Sequence, residues 1–210
     1  LTLLKRELSL QLATFGEALA APALYLLAVG FFMLSQPYGA GMGDSVAAAA
    51  LWVCALVALG LTQYRIWERD ARDGTLEQWA LLPVAFEGVV VVKLIAHWLM
   101  TGLPLLLILP MMGALLGVAL PAFLPLLLGT LALTALGSVA GAVSLRFASR
   151  QLLTLLLVFP LSAPVLIFGA AGSLPDASGN GLDLLLAYVL AVCPSAVAAT
   201  SWLLRVEMRG

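Results

Sequence analysis

The sequence is poor in charge, histidine and cysteine. Its 210 residues include 10 Lys and Arg, 11 Asp and Glu, one His and two Cys. Cys54 and Cys193 lie in separate apolar runs without CxxC spacing, which excludes a disulfide framework or a cysteine metal cluster and is typical of packing residues. No basic stripe with interleaved aromatic residues is present, so nothing indicates a nucleic-acid partner. No G-x-x-x-x-G-K-[ST] motif occurs, so any ATP that powers this protein must be bound by another chain.

Apolar residues dominate the chain instead. They make up 63% of it, charged residues make up 10%, and the mean hydropathy is +1.10. An apolar run of about 18 or more residues can cross a hydrocarbon core roughly 30 Å thick. Six runs reach that length: 18–36, 45–63, 89–110, 121–145, 152–172 and 184–204. We therefore predict an all-α integral membrane protein with six transmembrane helices, forming a single polytopic domain over residues 1–210.

The basic residues indicate the orientation of these spans. They are Lys5, Arg6, Arg65, Arg69, Arg72, Lys93, Arg146, Arg150, Arg205 and Arg209. When six spans are threaded through a membrane, all of them fall on one side, whereas the only charges on the other side are Asp44, Asp176 and Asp183. The positive-inside rule then places both the N-terminus and the C-terminus in the cytoplasm.

The segment 1–17 has the pattern of a helix lying in the membrane interface. Its apolar residues recur at spacings of three and four: Leu4, Leu8, Leu12, Phe15 and then Leu19. Lys5, Arg6 and Glu7 lie off that stripe, and no separate apolar region precedes a cleavage site, so a cleavable signal is not predicted. The alternative is a simple extension of the first span.

The cytoplasmic region 64–88, between spans two and three, contains a polar island. The stretch WERDARDGTLEQWALLP (67–83) carries six charged side chains. Asp73 and Gly74 are a turn signal, and Thr75 with Gln78 has the spacing of a capping box, which predicts a helix from Leu76. Pro83 ends that helix after about two turns. Its apolar face would consist of Leu76, Trp79 and Ala80.

Such a short helix is marginal in water and needs a surface to pack on. The membrane interface is one candidate surface and a soluble partner subunit is the other. Because a simple connection needs only about four to six residues and no cap, we favour a docking role.

Specific sequence words add a family resemblance. The charged cluster followed by DGTLEQ resembles the intracellular segment of ABC-2 type transport permeases, which is similar to a coupling helix. The run 69–110, with DGTLEQ, LLP, KLIAHW and TGLPLL in that order, resembles more narrowly the haem exporter protein B family of bacterial cytochrome c maturation. The RxELxL start formed by Arg6, Glu7, Leu8 and Leu10 extends the likeness.

The resemblance implies an ABC-2 type permease fold in the bacterial inner membrane. It implies pairing with a cytoplasmic ATP-binding subunit, a second copy of this chain, other membrane subunits and a periplasmic haem chaperone. ATP hydrolysis by the partner would serve haem delivery or release of the loaded chaperone; which species passes through this subunit stays open. The alternatives are an ABC-2 permease for another lipid or glycan cargo, and a membrane scaffold that transports nothing.

The candidate site residues fall into two groups. The coupling group is Arg65, Glu68, Arg69, Asp70, Arg72, Asp73, Gly74, Thr75, Leu76, Glu77, Gln78 and Trp79. The membrane group is Lys93, His97, Trp98 and Pro104. No catalytic residue, metal site or directly bound cofactor is predicted, because the spans hold no nucleophile, base and orienting acid in a recognisable arrangement. The chain is therefore expected to be a non-catalytic subunit surrounded by membrane lipid.

Two residues of span three have competing interpretations. The long stem of Lys93 favours snorkelling to the cytoplasmic face, and the alternative is a pairing with Glu87 or with a partner subunit. For His97 a hydrogen bond inside the helix bundle, or to an interfacial group beside Trp98, is favoured over ligation of haem iron, since no second ligand has a telling spacing.

Proline and glycine punctuate the spans. Pro160 and Pro164 predict a break in span five, which leaves 165–172 either as a re-entrant segment or as part of a single kinked span. The GxxxG spacing of Gly137 and Gly141 is interpreted as helix packing.

Overall fold

The computed structural model describes residues 5–7, 9, 19–35, 43–80, 85–115, 123–174 and 180–208. Secondary structure in these residues is entirely helical. The helices are α1 (Ala20–Leu34), α2 (Asp44–Gly60), α3 (Arg65–Arg72), α4 (Thr75–Ala80), α5 (Phe86–Leu115), α6 (Phe123–Ser144), α7 (Arg150–Leu161), α8 (Ala163–Gly172) and α9 (Gly181–Glu207). The described residues therefore have an all-helical fold, consistent with the predicted membrane protein.

The six predicted runs coincide in position with α1, α2, α5, α6, the pair α7–α8, and α9. Four of the described helices are long and apolar enough to cross a membrane, with α2 and α3 counted as one, and the number rises to five if α7 and α8 form one span. At 15 residues α1 is shorter than the usual spanning length of about 20. The count of six spans and the cytoplasmic location of the termini therefore stay predictions.

Helix α6 lies at the centre of the bundle. It packs against α2, α3, α5, α7, α8 and α9. In its most apolar stretch 72% of the residues are buried, compared with 17% in α9. Because α6 is rich in Gly, Ala, Ser and Thr, other helices can approach its backbone closely. Helix α9 packs on α6 with one side and leaves most of its surface to the surroundings.

The Gly137–Gly141 spacing serves packing within the chain, as predicted. A Cβ atom on Gly137 would lie 2.3 Å from Cδ of Gln63, and one on Gly141 would lie 3.2 Å from the Gln63 backbone oxygen. These glycines therefore admit the turn that joins α2 to α3. Trp67, at the start of α3, donates a hydrogen bond from its indole N–H to the Ser138 carbonyl at 3.1 Å, which fastens α3 to α6.

The predicted break in span five occurs at Ser162. Helices α7 and α8 meet there at an angle of 52°. The Tyr188 hydroxyl of α9 donates a hydrogen bond to the Leu161 carbonyl at 3.0 Å, so a neighbouring helix satisfies a backbone acceptor at the bend. This geometry fits a broken span and a re-entrant segment equally. Helix α5, in contrast, continues through Pro104 and Pro110.

Ion pairs between different elements gather at one end of the bundle, which we call the cation-rich end. Arg146, after α6, pairs with Glu207 of α9, and Arg205 of α9 pairs with Glu87 of α5. Asp44 and Asp183 lie in the first turns of α2 and α9, at the opposite end. Among the described residues, these ion pairs and these two acids therefore lie at opposite ends of the bundle. Most of the interfacial helix predicted over 1–17 lies outside the described residues. Within that segment Lys5, Arg6, Glu7 and Ser9 are described, and they are helical.

Candidate docking and coupling site

The polar island folds as two short helices joined by a tight turn. Helix α3 ends at Arg72, the turn comprises Asp73 and Gly74, and α4 begins at Thr75, one residue before the predicted start. Gly74 has a φ of +67°, in the left-handed region that favours glycine. The predicted turn is therefore confirmed. Pro83, predicted to end the second helix, lies outside the described residues.

The apolar side of this helix pair is buried in the protein itself. Trp67, Leu76 and Trp79 are each no more than 5% exposed. They belong to a compact cluster at the cation-rich end with Ile66, Phe86, Val89, Val90, Ala142, Leu145 and Leu204. The expectation that the apolar face of this helix packs on the membrane interface or on a partner subunit is therefore wrong. The reason is tertiary: α5 begins and α6 and α9 end beside the helix pair, and together they provide the surface that a short helix needs.

The opposite side of the helix pair is polar and exposed. We call it the polar face; its residues are Arg69, Arg72, Asp73, Glu77 and Gln78. Arg69 lies 3.8 Å from Asp73, and Arg72 lies 2.9 Å from Glu68, as pairs one helical turn apart. Such pairs contribute only about 0.2–0.5 kcal/mol each. The polar face is thus a mixed-charge surface on a helix pair whose position is set by the buried apolar side.

A charged cluster lies beneath the polar face. The Lys93 ammonium contacts the Asp70 carboxylate of α3 and lies 3.5 Å from Oε2 of Glu7. It also lies over the rings of Trp79 and Trp67, at 4.9 and 5.6 Å from their centroids. We call these five residues the Lys93 cluster. All of them are buried, and Lys93 is only 5% exposed.

This arrangement corrects both interpretations of Lys93 within the chain. The side chain does extend toward the cation-rich end, but its ammonium ends in a buried contact and not in solvent. Glu87, the expected alternative partner, accepts a hydrogen bond from Arg205 at 2.7 Å. The partners of Lys93 are Asp70 and Glu7 because α3 and Glu7 lie beside α5, a juxtaposition that no local pattern encodes.

The other candidates of the membrane group, His97, Trp98 and Pro104, all lie on α5. His97 is buried, and its Nε2 atom has no hydrogen-bond partner among the described residues, so the predicted hydrogen bond in the bundle is not found there. The Trp98 indole donates to the Thr130 hydroxyl at 3.0 Å and ties α5 to α6. Pro104 lies within continuous α5. In the described ranges no three His, Cys, Asp or Glu residues come together as a metal site.

Sequence reasoning missed one neighbouring surface. The loop between α6 and α7 forms, with Tyr64, Glu68 and Arg72, an open cleft of about 470 Å³ beside the polar face. Arg150, the first residue of α7, lies 4.0 Å from Glu68. The signal that could have indicated it was the pair of arginines, Arg146 and Arg150, in an otherwise short connection.

Comparison with known proteins decides the family. The family model described as CcmB protein matches residues 1–205. The chain belongs to the CcmB protein family. Heme exporter protein B of Paracoccus denitrificans is 40% identical over 198 residues, covering 87% of this chain and 91% of the relative. The Rhodobacter capsulatus protein of that name is 36% identical over 219 residues, covering 99% of each chain, and the Pseudomonas aeruginosa protein is 34% identical over 210 residues, covering 94% and 93%.

The resemblance predicted from a few sequence words is therefore confirmed over nearly the whole chain. In this CcmB family member the word DGTLEQ spans the turn and most of α4, and KLIAHW runs from Lys93 to Trp98 on α5. The two words meet in space, because Trp79 directly after the first packs over the ammonium of the residue that opens the second.

Proposed function

We propose that this CcmB family member is the membrane subunit of an ABC-type complex for cytochrome c maturation in the bacterial inner membrane. In this proposal the polar face docks a separate cytoplasmic ATP-binding subunit. The observation that carries it is the two-sided helix pair α3–α4, with an exposed mixed-charge face and an apolar face anchored in the chain's own core. A connection without a docking role would not need this arrangement.

Anchoring of the helix pair suits it to transmit force. Helix α3 follows α2 after a short turn, and Leu76 and Trp79 of α4 pack against the first turns of α5. A displacement imposed on the polar face would therefore reach spans two and three directly. Packed rigid elements transmit such a motion as a shift between discrete arrangements, whereas a loose loop would absorb it.

The family supports haem as the cargo of the complex. Relatives that match over most of their length are named heme exporter protein B, which favours haem over another lipid or glycan. We infer that ATP hydrolysis in the partner drives delivery of haem or release of a haem-loaded periplasmic chaperone. A second copy of this chain and further membrane subunits complete the proposed complex, in which this chain is non-catalytic.

Co-purification from membranes in mild detergent tests the docking. The test variant carries Glu77→Lys with Gln78→Lys, which reverses the charge of the exposed side of α4 and leaves its buried residues intact. The matched control is Glu87→Lys, a reversal of another exposed acid at the same end of the bundle, outside the polar face. Leu76 is unsuitable for this purpose, because it is 2% exposed and its replacement would test folding.

The expected result is that wild type and Glu87→Lys retain an ATP-binding subunit and its ATPase activity, while the double variant loses both and still accumulates in the membrane. Retention of the ATPase by the double variant would overturn docking through the polar face. Absence of any ATP-binding subunit from the wild-type eluate would overturn the ABC-type complex altogether.

A further inference from the structure

The Lys93 cluster joins side chains from four different elements of the chain. Asp70 and Trp67 belong to α3, Trp79 belongs to α4, Lys93 belongs to α5, and Glu7 belongs to the N-terminal segment. We propose that this cluster is the joint that couples docking of the ATP-binding subunit to movement of α5 and of the N-terminal segment. This inference rests on the proposed function and assigns Glu7, Asp70 and Lys93 to it as positioning residues.

Burial makes the cluster sensitive to position. Charges in a low-dielectric interior interact strongly at short range, and removing one partner leaves an uncompensated buried charge. Here one ammonium faces two carboxylates, and Arg6 lies 3.2 Å from Glu7 as a second cation. The charges therefore balance only while α3, α5 and the residues Arg6 and Glu7 keep their present positions.

The two tryptophans extend that dependence to α4. A cation over an indole ring within about 6 Å is attracted to the ring face, with an energy of up to about 2 kcal/mol when the pair is desolvated. Trp67 and Trp79 lie on opposite sides of the Asp73–Gly74 turn, and both rings are within this range of the Lys93 ammonium. A tilt of α4 away from α3 would change at least one of these contacts.

Stability alone does not explain charges at this place. The surrounding residues, among them Phe86, Val89 and Val90, already form an apolar core. Replacement of a buried ion pair by apolar groups of similar size is often neutral or stabilising, so a neutral interior would fold as well. What charges add is a directional contact that holds one register between the docking element and α5.

The inference can be tested with a variant that removes the charges together. Glu7→Gln, Asp70→Asn and Lys93→Met leave no uncompensated buried charge and keep similar side-chain volumes. The matched control neutralises the exposed pair between α5 and α9 with Glu87→Gln and Arg205→Met. Each variant replaces the native chain in cells, and three quantities are measured: its amount in the membrane, the ATP-binding subunit that co-purifies with it, and the matured cytochrome c.

The expected result separates docking from coupling. The neutral triple variant retains the ATP-binding subunit and loses about tenfold in matured cytochrome c, within the usual range of coupling between two sites. The control stays near wild type in all three measurements. Normal cytochrome c maturation by the triple variant would contradict the proposal that the Lys93 cluster is a coupling joint. Failure of the wild type to bind an ATP-binding subunit would contradict the proposed function instead.

A second variant tests the role of the Lys93 cluster if the triple variant does not accumulate. Lys93→Arg keeps every charge and changes only the shape of the cation that lies between the two indole rings. A joint that depends on a fixed register predicts normal accumulation with reduced maturation. Wild-type maturation by Lys93→Arg would show that charge balance is all that the site requires, and would overturn the inference.

Discussion

Helix α5 carries two ion-pair sites within its first turns, and their surroundings are opposite. Glu87 pairs with Arg205 at 2.7 Å, with side chains 45% and 47% exposed. Lys93 pairs with Asp70 and Glu7, with side chains that are 6–8% exposed. The same kinds of groups thus form a surface contact between α5 and α9 in one case and a buried connection to the docking element in the other.

The difference shows that the burial of a charge pair, and not its mere presence, decides how much the pair contributes to the stability of the fold. An exposed pair gains little, since water screens the charges and both long side chains lose freedom, and it is worth about 0–1 kcal/mol. A buried pair tolerates no unmatched member. Changes at the two sites are therefore expected to differ several-fold in their effect on the free energy of unfolding, and variants at each site measure that contrast.

The largest effect is expected from Lys93→Met alone. It leaves the buried carboxylate of Asp70 without its cation, whereas Glu7 keeps Arg6 at 3.2 Å, and an unmatched buried charge costs about 3–5 kcal/mol. We expect the variant to accumulate poorly and to unfold at a lower temperature in detergent. Restoration by the added change Asp70→Asn would show that the unmatched charge is the cause; no improvement would contradict this explanation.

A smaller loss is expected from Trp79→Leu. The change keeps an apolar side chain against Phe86 and Val89 but removes the ring face from the Lys93 ammonium. Lost packing and the lost cation–π contact together should cost about 2–3 kcal/mol. Thermal unfolding in detergent measures it, and the cost should shrink in a Lys93→Met background. Equal costs in both backgrounds would show that Trp79 and Lys93 do not interact.

Gly74→Ala tests the turn between α3 and α4 without touching either ion pair. The φ of +67° strains any residue with a Cβ, at a cost of about 1–2 kcal/mol. The nearest side-chain atom to that Cβ would be Oε2 of Glu77, at 3.7 Å, so backbone strain and not a clash is the cause. Unfolding measurements on Gly74→Ala should show this loss; a neutral result would mean that the turn adopts another conformation.

The smallest effect is expected at the exposed pair. Glu87→Gln with Arg205→Met should change the free energy of unfolding by no more than about 1 kcal/mol, and less at high salt. A double-mutant cycle with the two single changes isolates the pair. A coupling energy as large as that between Lys93 and Asp70 would remove the contrast between the two sites.

Sequence patterns located the coupling region well but not its orientation. The DG turn, a short helix after it and the family words all followed from residues 67–110, because turn chemistry and capping act between near neighbours. The face that packs was assigned to the wrong surface, since periodicity shows that Leu76 and Trp79 share a side and not what covers it. The cleft beside the α6–α7 loop was also missed, because local periodicity does not show which distant segments lie next to each other.

Local sequence patterns also could not predict the partners of Lys93. Glu87 is close in sequence and was a natural candidate, whereas Asp70 and Glu7 belong to other elements. His97 was expected to find a hydrogen bond in the bundle, and the described residues provide none for its Nε2 atom.

The sequence by itself determined that this chain is an apolar helical membrane protein of the CcmB family with a polar interruption between two long helices. These features depend on composition, on helical period and on turn residues, which are properties of contiguous segments. Only the tertiary structure decided that the polar interruption faces outward on one side alone and that Lys93 is sealed beneath it. Burial depends on which distant segments pack together, and a charge acquires its energetic weight only from that burial.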